Sequence, residues 1–194
     1  MIPSSLRLPI RTDARRLRED LAQIVESDHL PHFNRGCYRG EWTVVPLRSI
    51  GGQSDQIYPD PTRIADYTDT PLLARCPYVR EVLDSLEFPL QAVRFLRLRP
   101  GSEIKTHRDL RLGFKDGEIR LHFPITTNPD VDFIVDGQRW VMGEGECWYH
   151  DFTLPHSVIN RGPTDRVHLV VDGAVNDWVS QLLHQAAPRE AFID

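Results

Sequence analysis

A histidine and an aspartate two residues apart form the feature of this sequence best suited to binding a metal ion. In an extended chain, residues i and i+2 point to the same face, so His107 and Asp109 can bind one ion while Arg108 turns away. A third ligand has to come from a distant strand, and His156, which opens a later apolar run, is the candidate. Two histidines with one carboxylate leave three neighbouring coordination positions open, a set typical of non-haem Fe(II) oxygenases.

A single arginine lies ten residues after His156, where Arg166 begins the run RVHLVVD. An oxygenase with such a triad often uses 2-oxoglutarate, which binds iron through its keto-acid end and leaves a second carboxylate inside the protein. A buried carboxylate without a cation is costly, and a planar guanidinium binds a carboxylate at two points. We expect Arg166 to bind that carboxylate; the alternative is a surface arginine paired with Asp165 or Asp172.

Two more polar residues, Arg120 and His122, share one face of the run RLHFPI, because they too are two residues apart. If that face is the inner one, both side chains reach the same cavity as the triad. If it is the outer one, Leu121 and Phe123 face inward and the two polar residues contact solvent. The spacing alone leaves both possibilities open.

Basic residues are concentrated between Arg94 and Arg120, where eight lysines and arginines accompany four acidic residues. Such a local excess in an acidic protein is suited to binding an anion. Arg94 and Arg97 point to opposite faces of one apolar run, so at most one of them faces inward. Arg94 is therefore a candidate for binding a substrate carboxylate.

The chain after Pro89 contains many short apolar runs separated by turn signals, including Asp136-Gly137, a strong hairpin signal. The predicted strands cover residues 91–98, 103–107, 118–124, 132–135, 138–141, 146–149, 157–160 and 167–172. Many short strands at regular spacing predict a mainly β protein with flanking helices, in which the strands form a double-stranded β-helix, or cupin-like jelly roll.

Helical patterns lie on both sides of these strands. Apolar residues at helical spacing predict an amphipathic helix over residues 13–26, short helices over 70–87 and a last helix over 176–186. Residues 42–47 are predicted as a further strand. We expect one oxygenase domain over residues 1–194, made of a helical and mixed N-terminal part (1–90), a jelly-roll core (91–175) and a C-terminal helix and tail (176–194).

Composition excludes several classes of protein. The chain has 194 residues, 40% of them hydrophobic and 26% charged, which is usual for a globular protein and unusual for a disordered one. No apolar stretch is long enough to cross a membrane, and a net charge of −5 argues against a nucleic-acid or membrane-surface partner. The three cysteines form no CxxC pair and favour a reducing compartment, so we expect a cytoplasmic protein.

Several motifs occur together and in order between residues 93 and 173. They are PG, HRD, RLH, a GE turn before an aromatic strand, HSVIN, and an arginine before a hydrophobic strand that ends in aspartate. In this combination the segment resembles the aspartyl/asparaginyl β-hydroxylase family of Fe(II)/2-oxoglutarate oxygenases, and the bacterial members that hydroxylate free proline are especially similar. The resemblance covers under half of the chain, and residues 1–90 do not match the protein-modifying animal members.

The resemblance implies a role for each motif residue. The positions that correspond to the family's iron ligands are His107, Asp109 and His156. The position that corresponds to its contact with the distal carboxylate of 2-oxoglutarate is Arg166, and its further co-substrate contacts correspond to Arg120 and His122. The cofactors that it implies are Fe(II), 2-oxoglutarate as co-substrate and O₂. The expected enzyme is a dioxygenase that hydroxylates an unactivated C–H bond of an amino acid or an Asp- or Asn-like residue, releasing succinate and CO₂.

Two alternatives from other classes remain at this stage. One is a cupin-type metalloenzyme that does not use 2-oxoglutarate, and the other is a non-catalytic jelly-roll protein in which His107 and Asp109 only form hydrogen bonds to a ligand. We expect a small-molecule or peptide substrate. Neither its identity nor the oligomeric state follows from the sequence.

Overall fold

A computed structural model describes residues 2–58 and 60–188 of the chain. The described residues form three α-helices: α1 (Ala14–Leu21), α2 (Pro77–Asp84) and α3 (Asp177–Ala186). They also form thirteen strands: β1 (Ser5–Arg11), β2 (Leu30–Pro31), β3 (Tyr38–Arg39), β4 (Trp42–Ile50), β5 (Tyr67–Asp69), β6 (Leu90–Leu98), β7 (Glu103–His107), β8 (Glu118–Thr126), β9 (Val131–Val135), β10 (Gln138–Trp140), β11 (Glu146–His150), β12 (His156–Asn160) and β13 (Arg166–Ala174).

The strands form two antiparallel sheets that face each other. The larger sheet has the order β1-β11-β8-β13-β6-β4-β2, with β5 paired to β4, and the smaller has the order β10-β9-β12-β7-β3. Apolar side chains from both sheets meet in the space between them, while α1, α2 and α3 pack on the other face of the larger sheet. The predicted double-stranded β-helix with flanking helices is therefore confirmed.

The strand β13 is buried on both of its faces. Its Leu169 and Val171 belong to the core that packs on the helices, whereas Arg166 and Asp172 face the space between the sheets. Because side chains alternate along a strand, the same residues build an apolar core on one side and a polar wall on the other.

The larger sheet extends beyond the predicted core of residues 91–175, because strands from residues 1–90 complete it. The predicted strand over residues 42–47 is confirmed as β4, which pairs with β6, and β1 pairs with β11 at the edge. β1 is absent from the predicted strands because Pro9 interrupts its apolar alternation, and an edge strand tolerates proline since its outer N–H needs no partner. That the whole chain forms one domain stays a prediction.

The predicted helices are present, but α1 is shorter than expected. It begins as predicted, where the Asp13 side chain accepts hydrogen bonds from the first backbone N–H groups. It ends at Leu21 and not at residue 26, because the N–H groups of Gln23 and Ile24 donate to the carbonyls three residues back, those of Asp20 and Leu21, and not to those four residues back.

The other two helices agree with the sequence pattern. Residues 70–87 form a 3₁₀ turn, Pro71–Arg75, followed by α2, and α3 is capped by Asn176. The tail of the predicted C-terminal segment, from residue 189 onwards, lies outside the described residues. No helix in the described part of the chain is long and apolar enough to cross a membrane.

Candidate active site

A cavity of about 360 Å³ lies between the two sheets and opens to solvent; we call it the central cavity. Its walls come from the inner faces of β6, β8 and β13 on one side and of β7, β9 and β12 on the other. The side chains around it that could bind a ligand or a metal include Arg94, His107, Asp109, Glu118, Arg120, His122, His156, Arg166 and Asp172. Every site residue that the sequence analysis names therefore lines one cavity.

The three candidate metal ligands come together where β7 ends and β12 begins. These strands are antiparallel neighbours, and their register places His107 opposite His156. Asp109 follows β7 and is held by its backbone N–H, which donates to the carbonyl of Phe152 at 2.9 Å. One ligand atom from each of the three residues lies within 4.8 Å of the other two. This spacing suits a single metal ion, although the ligand assignment itself stays a prediction.

Backbone carbonyls orient both histidines of this group. Nδ1 of His107 lies 2.8 Å from the carbonyl oxygen of Lys105, and Nδ1 of His156 lies 3.0 Å from that of Leu154. Because a carbonyl oxygen only accepts, each Nδ1 carries the hydrogen and each Nε2 keeps its lone pair for a metal. Burial lowers the pKa of His156, which keeps this imidazole neutral as metal binding requires.

Four charged residues, Arg94, Asp172, Arg120 and Asp109, form a continuous row of ion pairs along the cavity wall; we call it the ion-pair row. Nη2 of Arg94 lies 2.6 Å from Oδ2 of Asp172. Arg120 binds the same carboxylate through Nε at 2.6 Å and Nη2 at 2.9 Å. Its remaining Nη1 donates to Oδ2 of Asp109 at 2.8 Å. The row therefore connects the larger sheet to a candidate metal ligand.

The charges in this row stabilise one another against burial. Burial disfavours the carboxylate of Asp172, but Arg120 and Arg94 outweigh this effect and lower its pKa. Burial also disfavours the cationic form of Arg120. The negative charges of Asp172 and Asp109 outweigh this effect, so the pKa of Arg120 is raised. Arg94 and Arg120 thus already have acidic partners, and their predicted contacts to substrate and co-substrate stay predictions.

Among the residues that the structure describes, Arg166, at the other end of the same face of β13, has no acidic partner. Its side chain is buried, its Nη2 lies 2.9 Å from Nδ1 of His168, and its Nε has no hydrogen-bond partner. Among the described residues, Arg166 forms no ion pair with Asp165 or Asp172, the alternative partners that the sequence leaves open, and the carboxylate of Asp172 instead pairs with Arg94 and Arg120. Burial lowers the pKa of Arg166 to about 9, so the guanidinium remains a cation at neutral pH.

The structure decides which face of β8 points inward. Leu121 and Phe123 belong to the core under the helices, whereas Arg120 and His122 line the central cavity. His122 is buried there, and its Nδ1 lies 3.1 Å from Nδ1 of His168. The first of the two possibilities left by the spacing is therefore the observed one.

Three further residues, not predicted from the sequence as site residues, lie in or beside this site. His168 and Asp172 lie on β13 at two and six residues from Arg166, so period-two alternation puts all three on one face. Glu118 lies two residues before Arg120 on β8 and lines the cavity by the same rule. The alternation that relates Arg120 to His122 would have found them.

A family model and a curated protein are both similar to this chain. The model of the aspartyl/asparaginyl beta-hydroxylase family matches residues 10–175. The L-proline cis-4-hydroxylase of Rhizobium meliloti (strain 1021) is 31% identical over 168 residues, which cover 84% of this chain and 58% of that protein. The chain thus spans less than two thirds of the length of this relative.

Solved structures share the fold at low sequence identity. An oxidoreductase of the 2OG-Fe(II) oxygenase family from Burkholderia pseudomallei has a TM-score of 0.54 and 14% identity, over 90% of this chain and 88% of that one. The viral collagen prolyl hydroxylase from Paramecium Bursaria Chlorella virus-1 has a TM-score of 0.50 and 10% identity, over 89% and 97% of the two chains. Because the family model spans most of the sequence, the chain belongs to the aspartyl/asparaginyl β-hydroxylase family.

Proposed function

We propose that this protein is an Fe(II)- and 2-oxoglutarate-dependent dioxygenase that hydroxylates an unactivated C–H bond. The observation that carries the proposal is the presence, in one cavity, of a three-ligand cluster and of Arg166, a buried arginine without an acidic partner. A buried cation is costly unless an anion neutralises it, and 2-oxoglutarate brings a carboxylate together with a metal-chelating group. Membership of the family supports the same activity.

Each part of the site has its own task in this proposal. His107, Asp109 and His156 would hold Fe(II) through two imidazole nitrogens and one carboxylate oxygen. When bound, the iron and 2-oxoglutarate supply the oxidative chemistry, in which the co-substrate yields succinate and CO₂ and one oxygen atom of O₂ enters the substrate. Arg166 binds the distal carboxylate, and Arg120 positions Asp109 through their 2.8 Å hydrogen bond.

Each of the two alternative functions leaves part of the site unexplained. A cupin-type metalloenzyme that does not use 2-oxoglutarate needs the metal ligands but no buried cation beside them. A non-catalytic ligand-binding protein needs neither the bare Nε2 atoms of His107 and His156 nor their close approach to Asp109. The combination therefore favours the oxygenase.

Glu118 gives the cavity an acceptor that suits the amino group of a substrate. Its Oε2 is buried without a hydrogen-bond partner, and burial raises the pKa of this carboxyl to about 7. Arg94, on the neighbouring part of the wall, supplies a cation for a carboxylate. We propose an amino acid, or an Asp- or Asn-like residue of a peptide, as the substrate, with free L-proline first because the curated relative is named for it.

A succinate-release screen tests this substrate class. We expect release with a free amino acid, L-proline before its analogues, because the central cavity has the size of a small-molecule site. Asp- and Asn-containing peptides form the second arm. Succinate release that depends on peptides, with every free amino acid inactive, would contradict the preference for a small zwitterion.

The cysteines support the expected reducing compartment. Cys37, Cys76 and Cys147 are free thiols, and burial raises the pKa of Cys76 to about 12, which makes it unreactive. We propose a cytoplasmic protein on this ground. The net charge of −5 likewise supports a small-molecule or peptide substrate over a nucleic acid.

Removal of any one candidate ligand tests the metal site. We expect His107→Ala, Asp109→Ala and His156→Ala each to abolish turnover and to weaken Fe(II) binding strongly, because three protein ligands hold the ion. Anaerobic metal titration measures binding, and succinate release measures turnover. His184→Ala, a change on the exposed side of α3, is the control. An Asp109→Ala protein with full activity would remove this residue from the ligand set.

Substitution of Arg166 tests the co-substrate. Loss of one partner of a buried ion pair costs roughly 3–5 kcal/mol, so Arg166→Ala should raise the Kd for 2-oxoglutarate by two to three or more orders of magnitude. Arg166→Lys should be intermediate, since lysine keeps the charge but loses the planar fork. Fe(II) binding should persist in both, and Arg139→Ala, at an exposed position, is the control. Unchanged affinity in Arg166→Ala would refute the assignment.

The pH dependence of stability tests the burial of Glu118. The pKa of Glu118 is about 7 in the folded protein and about 4.5 in the unfolded chain. Between these two values the unfolded chain releases the proton while the folded protein keeps it, so the free energy of unfolding falls as the pH rises from 4.5 to 7. Above pH 7 both states are ionised and the loss of stability stays constant. Glutamine does not ionise, so Glu118→Gln should remove this loss of stability. We expect it to raise Tm at pH 8 by ~2–4 °C for each kcal/mol of unfolding free energy that is regained, and to leave Tm unchanged at pH 4.5. Thermal unfolding across this range checks it, with Glu87→Gln, an exposed glutamate, as the control. Parallel pH profiles for wild type and Glu118→Gln would show that Glu118 ionises freely.

A further inference from the structure

Arg166, His168 and His122 form a buried cluster on the neighbouring strands β8 and β13, beside the central cavity; we call it the basic cluster. Nδ1 of His168 is its centre, because Nη2 of Arg166 lies 2.9 Å from this atom and Nδ1 of His122 lies 3.1 Å from it. The three residues are 2%, 1% and 4% exposed, respectively. Burial is the cause that shifts the pKa of Arg166, and no carboxylate opposes it.

The contacts fix which nitrogens carry hydrogen. A guanidinium can only donate, so Nδ1 of His168 must accept from Arg166 and carries a lone pair. Nδ1 of His122 must then carry a hydrogen, since two lone pairs would otherwise face each other at 3.1 Å. A neutral imidazole with its hydrogen on Nδ1 has a lone pair on Nε2, and Nε2 of His122 is buried without a partner.

We propose that His168 is a positioning residue that fixes the fork of Arg166 and the tautomer of His122, and that 2-oxoglutarate binds with uptake of one proton on Nε2 of His122. The inference rests on the proposed function, because it takes the distal carboxylate as the anion that meets the basic cluster. A carboxylate oxygen only accepts, so a neutral His122 in this tautomer would turn a lone pair towards it. A proton from solvent converts Nε2 into a donor and makes His122 a second cation beside Arg166.

The surroundings of His122 keep it neutral until an anion arrives. The titratable and charged groups that face it are His168 and Arg166 from β13, His150 from β11 and Arg120 from its own strand. Phe133 from β9 and Phe152 after β11 complete its surroundings and carry no charge. Burial first, and these basic neighbours second, lower the pKa of His122 well below its usual range. Because binding takes up a proton, the affinity for 2-oxoglutarate should fall as the pH rises.

Calorimetry of 2-oxoglutarate binding to the Mn(II)-loaded protein, without O₂, counts the protons. Titrations in two buffers of different ionisation enthalpy should give close to one proton taken up per 2-oxoglutarate at pH 7, and an association constant that falls up to tenfold between pH 7 and 8. His122→Gln presents an N–H donor that does not titrate, so uptake and pH dependence should vanish while the metal site is unchanged. Equal uptake by wild type and His122→Gln would overturn the proposal, because the proton would then come from another group.

Two substitutions of His168 separate positioning from packing. The side-chain oxygen of His168→Asn lies near the position of Nδ1 and can accept from both Arg166 and His122, so proton uptake should persist. His168→Leu keeps apolar volume but offers no acceptor, which leaves His122 free to carry its hydrogen on Nε2, and uptake should be lost. Uptake that persists in His168→Leu would show that His168 does not set the tautomer.

The same titrations separate this inference from the proposed function. Wild-type protein that binds Mn(II) but gives no saturable heat with 2-oxoglutarate would overturn both. Wild-type protein that binds 2-oxoglutarate with a pH-independent affinity between pH 6 and 8 would retain the oxygenase and overturn only the role of His122 and His168.

Discussion

The burial of charge between two sheets is the constraint on which the rest of this structure depends. Transfer of an ion from water to a protein interior costs several kcal/mol, and the loss is recovered only where opposite charges meet in good hydrogen-bonding geometry. The ion-pair row meets this condition, because the carboxylate of Asp172 lies between Arg94 and Arg120 at 2.6–2.9 Å. Since these residues come from β13, β6 and β8, the row also fixes the relative positions of three central strands.

The same row determines how the candidate metal ligands are held. Asp109 lies outside the regular strands, just after β7, and a carboxylate in such a position has rotational freedom. The guanidinium of Arg120 restricts the side chain of Asp109 by donating a hydrogen bond to its carboxylate. The hydrogen bond from the backbone N–H of Asp109 to the carbonyl of Phe152 holds the main chain in place. The histidines are oriented by carbonyl groups of their own strand or turn. The three candidate ligands are therefore preorganised by their contacts to the rest of the protein.

The two ends of the inner face of β13 differ in how far their charges are compensated, so the two ends of the cavity suit different chemical groups. At Asp172 two arginines meet a carboxylate, so the charges of the wall are largely compensated. At Arg166 the cation meets only neutral imidazoles and the ring of Phe133. The end at Arg166 is therefore the one suited to an anion, whereas the other end has further polar groups in the wall, Glu118 among them.

Features that follow from local chain geometry could be predicted from the order of the amino acids. Strand alternation places His107 with Asp109 and Arg120 with His122, turn residues delimit the strands of the core, and the order of the motifs identifies the family. Three other features depend on the folded chain: the face of Arg120 is the inner one, β1 completes the larger sheet, and Arg166 has no acidic partner among the described residues. The physical reason is that spacing fixes which side chains share a face, whereas pairing and burial depend on contacts between residues distant in sequence. Local geometry therefore supplied the candidate residues, and desolvation together with long-range contacts decided which of their charges are compensated.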